Sequence, residues 1–186
     1  MINVCDNCPL RLFNSKHYNF NGVGNPYSGN VIILPEVDYD AYKLKDLSKG
    51  QMIKIIEYCI SSTGGVTENI FVTPLLRCNK DISSYPIEED IIRNCFNHTI
   101  NEFRKYNFRN VLLLGDTAKF MLSVTNIHNN DNNVFVSKNN KNYVVSYNPL
   151  IKYIDYNKFR IFKNDINRWY HSCISNDFST YNLVRF

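Results

Sequence analysis

The chain of 186 residues lacks the features that mark membrane and secreted proteins. No stretch approaches the ~20 consecutive apolar residues that cross a bilayer, so we expect no membrane-spanning helix and no membrane partner. Residues 1–5 do not combine a basic segment with an apolar run, and we therefore expect no signal peptide. A cytoplasmic protein is the expectation, located at the nucleoid or, if viral, in the cytoplasm of an infected host.

The chain also has little excess charge of one sign. Its 21 Lys and Arg residues stand against 17 Asp and Glu residues, and the resulting charge of +4 does not identify a nucleic-acid-binding protein unless the basic residues cluster. Alanine occurs only twice, whereas asparagine occurs 28 times. That skew is typical of a genome rich in A and T and does not by itself indicate a function.

Cysteine, in contrast, is present six times although structural disulfides are rare in a reducing compartment. Cys5 and Cys8 form a CxxC turn that could chelate one metal ion or one edge of a cluster, while Cys78 and Cys95 lie far away in the sequence. Four thiolates suit either a structural zinc ion or a [4Fe–4S] cluster, and spacing alone does not separate the two. The remaining two are interpreted as ordinary core or tail residues: Cys59 and Cys173.

Short apolar runs alternate with segments of helical periodicity. The runs at 31–34, 70–73, 111–114 and 143–147 predict strands buried on both faces, and a further short strand is expected near 134–136, in a hairpin or loop. Helices are predicted at 52–60, 88–105, 118–122 and 159–170. This alternation predicts the α/β class, as a three-layer α/β/α sandwich with a central, mainly parallel four-stranded sheet. We expect one domain over 1–186, with an N-terminal CxxC segment and a tail at about 172–186.

Several motifs follow one another in a defined order. After the CxxC pair come GVGNP at 22–26, PE at 35–36 behind the first long strand, a strand leading to Cys78, and then Cys95. LLGDTA at 113–118 and SYNP at 146–149 complete the series. Over about residues 5 to 170 this order resembles that of the iron–sulfur uracil-DNA glycosylases.

The resemblance implies a uracil-DNA glycosylase-like fold and a DNA partner, with a flipped nucleotide in the pocket. It also implies that Cys5, Cys8, Cys78 and Cys95 hold a [4Fe–4S] cluster, with zinc as the alternative. In the family the cluster is structural. Loss of a ligand should therefore cost stability before it costs chemistry, because metal-binding energy becomes folding energy.

The pocket positions depart from the family's pattern. Pro74 stands where the family has the Asn that reads the base, and it offers neither a side-chain amide nor a backbone donor. Asn148 replaces the family's His, and it can donate a hydrogen bond but cannot carry a proton. The predicted substrate pocket comprises Pro35, Tyr39, Thr73 and Pro74.

Candidate chemistry falls after the strands, because ligands of such sheets bind off the strands' carboxyl ends. Glu36 and Asp38 are the candidates for orienting a water molecule, and Asn148 is the candidate for stabilising charge on a departing base. A Leu–Ile wedge beside a lysine would suit intercalation. The predicted DNA contacts are Arg77, Lys80, Leu150, Ile151 and Lys152.

Three functions fit the sequence. The leading hypothesis is a [4Fe–4S] DNA-binding protein with weak or no ordinary uracil excision. The second is an active DNA glycosylase of altered base specificity. The third is a protein-interaction module on the same fold, such as a polymerase accessory subunit in replication or repair, and the aromatic tail at 178–186 supports it.

Overall fold

The computed structural model describes Cys5, Cys8 and residues 19–78, 89–115, 120–121 and 135–181. The strands are β1 Val23–Gly24, β2 Asn30–Leu34, β3 Phe71–Pro74, β4 Asn110–Leu114, β5 Phe135–Lys138 and β6 Lys141–Ser146. The helices of the described residues are α1 Tyr39–Leu44, α2 Gln51–Ser61, α3 Glu89–Lys105 and α4 Tyr156–Ser175, with 3₁₀ turns at Leu47–Lys49 and Pro149–Tyr153. No described helix combines the length and apolar character needed to cross a bilayer.

The described strands form one sheet in the order β1–β3–β2–β4–β6–β5. The four inner strands are parallel neighbours, so the predicted mainly parallel α/β sheet is confirmed. Two antiparallel edge strands, β1 and β5, extend it beyond the four strands expected. The hairpin between β5 and β6 turns through Asn139 and Asn140, both with positive φ, as tight hairpin turns require.

Side chains of the inner strands alternate between two buried faces. Ile32, Leu34 and Leu112 pack against α2 and α4 on one face. Val31, Ile33 and Leu113 belong to a second core with α3. Helices therefore cover the sheet on both faces, as its continuous apolar strands predicted.

Some element boundaries differ from those predicted. The last helix was expected at 159–170 but runs through Tyr156–Ser175, because Asp155 caps its start by accepting the Lys158 N–H at 3.1 Å. Pro74 is the last residue of β3 instead of the residue that stops it. The Leu75 N–H donates to the Leu34 oxygen at 2.9 Å, which puts the Pro74 nitrogen on the side of β3 away from β2, so no ladder bond is lost. Most of the helix predicted at 118–122 lies outside the described residues.

The described part of the C-terminal tail belongs to the core. The rings of Phe178 and Tyr181 stack on Phe135 with centroids 5.5 and 5.1 Å away, and both side chains are buried. The guanidinium of Arg168 lies 4.0 Å from the Tyr181 ring centroid. The prediction of an exposed aromatic tail is therefore wrong for Phe178 and Tyr181. Residues 182–186 lie outside the described part of the chain.

Three asparagines form a ladder at the amino ends of the inner parallel strands. The Asn110 amide donates to Asn30 Oδ1, and the Asn142 amide donates to Asn110 Oδ1, both at 2.9 Å. The same residues are register partners across β2, β4 and β6. The ladder stabilises one register, so the asparagine content is not only compositional.

Asn110→Ala should lower the free energy of unfolding by about 1–3 kcal/mol. It removes both ladder bonds and leaves the side-chain amides of Asn30 and Asn142 without these hydrogen-bond partners. Asn164→Ala, at an exposed position of α4, is the matched control and should change stability by only a few tenths of a kcal/mol. Urea titration of the two variants measures the difference. Equal midpoints would show that the ladder does not stabilise the sheet.

Candidate metal centre and nucleic-acid interface

Four cysteines come together beside α3. Cys8, Cys78 and Cys95 belong to one buried side-chain cluster. Cys5 is joined to it by a tight turn, in which the Cys8 N–H donates to the Cys5 carbonyl oxygen at 3.2 Å. All four are at most 7% exposed. The fold thus gathers the four predicted ligands from distant segments of the chain.

The electrostatics of this cluster reflect the closeness of the thiols. Burial is the main cause that raises the pKa of Cys78 to about 12, and the neighbouring sulfurs of Cys95, Cys8 and Cys5 raise it further. Burial also raises the pKa of Cys95 to about 11, against the effect of a hydrogen bond from the Arg77 backbone N–H. Such thiols stay protonated at neutral pH unless a cation stabilises their thiolates.

The donor set fits a metal in its chemistry. None of the six cysteines, all of which are described, forms a disulfide. Four buried sulfurs are the ligand type that both structural zinc and iron–sulfur clusters use. Within the described ranges, however, no group of three or more His, Cys, Asp or Glu side chains is arranged to hold a metal ion. Cys59 is fully buried in the core and Cys173 is half-buried against it, as expected.

A histidine that the sequence interpretation passed over lies at the edge of this cluster. His98 Nε2 is 3.3 Å from Cys5 Sγ. His98 follows Cys95 by three residues on α3, so the two side chains share one face of the helix. A ring nitrogen at this distance can orient or support a ligating sulfur. The Cys95-x-x-His98 spacing is the sequence signal that could have revealed it.

Arg77 is an internal cation next to the cysteines. Its side chain is buried and forms an ion pair with Glu102 of α3 at 2.7 Å. The same nitrogen, Nη2, donates to Thr73 Oγ1 at 3.2 Å, and Nη1 donates to the Phe20 carbonyl oxygen at 3.3 Å. This position does not suit the predicted DNA contact, since a buried and paired guanidinium cannot reach a phosphate. Lys80, the companion prediction, lies outside the described residues.

Thr73 and Pro74, assigned to the predicted substrate pocket, are both buried. The Thr73 hydroxyl donates to Glu102 Oε1 at 3.3 Å, so its polar atom belongs to the network around Arg77. The Pro74 side chain has no polar atom. Neither residue offers an uncommitted polar group for reading a base.

Three of the predicted motifs meet at the carboxyl edge of the sheet. Gly115, with a φ of +73°, lies so close to its neighbours that a Cβ atom there would be 3.3 Å from Asn148 Cβ and 3.4 Å from Pro35 Cγ. These residues follow β4, β6 and β2 respectively. The convergence was predicted from the rule that parallel strands present their carboxyl ends on one side.

Asn148 and the segment after it have structural roles in capping and packing. Its Oδ1 accepts the Leu150 N–H at 2.9 Å, which caps the 3₁₀ turn and leaves the amide NH₂ as the part that can donate to a ligand. Leu150 and Ile151 are half-buried against the main core, so they do not form the free wedge that was predicted. Lys152 is exposed, and its role as a DNA contact stays a prediction.

The acidic loop after β2 also serves the fold. Asp38 is buried, and its two oxygens accept the N–H groups of Ala41 at 3.0 Å and Met52 at 2.9 Å. It therefore caps α1 and binds the first turn of α2, which favours a structural role over the predicted catalytic one. Tyr39 is exposed at the start of α1, and Glu36 is half-buried at the edge.

A second carboxylate, on α4, was not singled out from the sequence. Burial raises the pKa of Asp165 to about 6, against a hydrogen bond from Ser146, whose Oγ donates to Asp165 Oδ2 at 2.6 Å, and against the charge of Arg168. Because the folded state favours the protonated form, the stability that this group contributes is complete below its ordinary carboxyl pKa, falls as the pH rises toward about 6, and is fully lost above about 6.

No protein-family model and no curated protein matches the chain. The resemblance to the iron–sulfur uracil-DNA glycosylases therefore stays a prediction from the motifs. What the structure adds is the placement of those motifs. Four cysteines lie in one buried cluster, and Pro35, Gly115 and Asn148 lie at one edge of the sheet.

Asp38→Ala should lower the free energy of unfolding by about 1–4 kcal/mol, because it removes the caps of two helices at once. Asp155→Ala removes one cap, at the start of α4, and should cost about half as much. Chemical denaturation measures both. If the two variants lost equal stability, the double capping by Asp38 would not contribute as the contacts indicate.

Proposed function

We propose that this protein is a [4Fe–4S]-containing DNA-binding protein related to the iron–sulfur uracil-DNA glycosylases, with little or no ordinary uracil excision. The observation that carries the proposal is the convergence of Cys5, Cys8, Cys78 and Cys95 in one buried site, just beyond the carboxyl end of β3. These are the four positions that the motif resemblance assigns to the cluster ligands. The mainly parallel α/β sheet is consistent with the same relationship.

The cluster would be held by the four thiolates. When bound, it supplies a cross-link between the CxxC turn, the loop after β3 and α3, and its binding energy adds to the folding energy. The chain's own residues support the ligands. His98 lies against the Cys5 sulfur, and the backbone N–H of Arg77 donates to the Cys95 sulfur.

The polar groups at the carboxyl edge support binding more than base excision. Excision needs a group that reads the base, a group that positions water and a group that stabilises charge on the leaving base. Pro74 has no polar side-chain atom, and both oxygens of Asp38 are occupied by backbone N–H groups. The Asn148 oxygen is occupied as a cap.

The distribution of charge along the chain supports a polyanionic partner. The segment 149–168, which begins directly after Asn148, carries five Lys or Arg residues and two Asp residues. Most of the chain's small positive excess therefore lies here. Basic side chains that contact phosphates supply the sequence-independent part of DNA affinity.

One observation favours the second candidate, an active glycosylase of altered specificity. Glu36 is a carboxylate at the carboxyl edge, next to Pro35 and half-buried, and the positions after β2 are where such sheets place catalytic groups. A water molecule oriented by Glu36 would be the reaction's nucleophile. The protein-interaction hypothesis is weaker than the sequence suggested, because Phe178 and Tyr181 are buried.

Metal analysis tests the cluster. Protein purified without oxygen should be brown, with about four irons per chain. Cys78→Ser and Cys95→Ser should each lose most of the iron and unfold at a lower temperature, because metal-binding energy is folding energy. Cys59→Ser is the matched control, since Cys59 is equally buried but lies in the main core, and it should keep its iron. A colourless protein with one zinc ion per chain would contradict the cluster.

Two assays on the same DNA test the function. DNA affinity should fall steeply with salt, with a slope of about −0.9 in log K per phosphate contact on duplex DNA. No base should be released from oligonucleotides that contain uracil, hypoxanthine or modified bases. Base release that disappears in Glu36→Gln but persists in Asp40→Asn would replace this proposal with the second candidate. Absence of DNA binding at low salt would refute both.

A further inference from the structure

A patch of exposed tyrosines lies beyond the carboxyl edge. Tyr153 is 63% exposed, the next residue, Ile154, is 80% exposed, and Tyr156 is 75% exposed. Tyr58 of α2 is 52% exposed. Single exposed apolar residues are ordinary on a protein surface, but several adjacent ones mark an interaction site.

Two lysines join the rings of this patch. Lys152 Nζ lies 5.3 Å from the ring centroid of Tyr58 and 5.7 Å from that of Tyr153. Lys163 Nζ, from α4, lies 5.2 Å from the Tyr58 centroid. We call these four residues the tyrosine–lysine surface. It combines α2, the 3₁₀ turn after β6 and α4, so its parts meet only in the folded protein.

Hydrogen bonds hold one ring of the surface in place. The Tyr153 hydroxyl donates to Gln51 Oε1 at 3.3 Å, and the Gln51 amide donates to Asp40 Oδ2 at 2.7 Å. This chain connects the surface to the starts of α2 and α1. The turn that carries Tyr153 is capped by Asn148, which lies at the carboxyl edge. The tyrosine–lysine surface is therefore continuous with that edge.

We infer that the tyrosine–lysine surface binds single-stranded nucleic acid, with bases stacked on Tyr58 and Tyr153 and phosphates near Lys152 and Lys163. Exposed aromatic rings next to flexible cations are how proteins bind unpaired strands, since every base offers a flat face and every nucleotide a phosphate. Bases inside a duplex are already stacked and cannot reach the rings. This inference rests on the proposed DNA-binding function and adds the form of the nucleic acid and its surface.

The surrounding charges limit the path of such a strand. Asp155 is near Lys158, with the ammonium 3.8 Å from its carboxylate, so its charge is partly offset. Glu57, Glu68 and Lys54 line a cleft of about 440 Å³ to which Tyr58 also contributes. Its two carboxylates outweigh its one ammonium group, so the cleft is net negative and repels phosphates. The strand is therefore expected to run from the carboxyl edge over Tyr153 to Tyr58 and not into the cleft.

Fluorescence anisotropy on the full chain tests the inference, with a labelled oligothymidylate of about 16 nucleotides, near the upper site size of single-strand-binding folds. Tyr58→Ala and Tyr153→Ala should each weaken single-strand binding on the order of tenfold. Tyr153→Phe should keep most of the affinity that Tyr153→Ala loses, because stacking needs the ring, while the hydroxyl contributes only one long hydrogen bond to Gln51 at 3.3 Å. Lys163→Gln should make the dependence of log K on log salt shallower by about 0.7.

Tyr27→Ala is the matched control, because Tyr27 is 82% exposed but packs edge-on against Tyr106, apart from the tyrosine–lysine surface. It should leave affinity unchanged. Single-strand affinity that is unchanged in both Tyr58→Ala and Tyr153→Ala would overturn the inference, while duplex or single-strand binding by the unmodified protein would still uphold the proposed function. Size-exclusion chromatography of the same samples adds another check: a dimer that Tyr153→Ala dissociates would assign the surface to a second copy of the chain and refute the inference.

Discussion

The ion pair between Arg77 and Glu102 is the interaction on which the cysteine site depends. A buried guanidinium needs a compensating charge, and removal of one partner from such a pair typically costs about 3–5 kcal/mol. Glu102, Thr73 and the Phe20 carbonyl oxygen bind the two terminal nitrogens of Arg77 from three segments, whereas its Nε has no hydrogen-bond partner among the described residues. The loop after β3 is thereby held against α3. Cys78 is the next residue, so the same contacts place it beside the helix that carries Cys95.

Helix starts bind several of the side-chain oxygens at the carboxyl edge of the sheet. The first N–H groups of a helix lack partners within it, and a side-chain oxygen close by stabilises them. Asp38 and Asn148 do this for α1, for the first turn of α2 and for the 3₁₀ turn after β6. Oxygens so committed stabilise the edge but are no longer available to a base or to water. These commitments support the proposal of binding without base excision.

The two ends of the sheet carry different polar side chains. Asn30, Asn110 and Asn142 link the amino ends of three strands through side-chain amides. At the opposite end the chain places its cysteines, its capped turns and the tyrosine–lysine surface. Amide ladders add cross-strand bonds at a fixed register, whereas the carboxyl ends lead into loops that can carry functional side chains. Asparagine is used at both ends of the sheet, because Asn148 lies at the carboxyl end.

Local sequence patterns determined the inner strands and the main helices, because apolar periodicity reports burial on one or two faces and needs no knowledge of neighbours. The CxxC spacing and the order of the motifs, and not periodicity, predicted the set of four cysteines. Tertiary structure decided which buried polar groups have hydrogen-bond or ion-pair partners. Arg77 was predicted to be a DNA contact, but it pairs with Glu102 of α3 in the interior. Asp38 was predicted to be catalytic, but it accepts the Met52 N–H of α2. Phe178 and Tyr181 were predicted to be exposed, but their rings stack on Phe135 of β5. In each case the partner is distant in the sequence, and the energy of a buried polar or aromatic group depends on that partner.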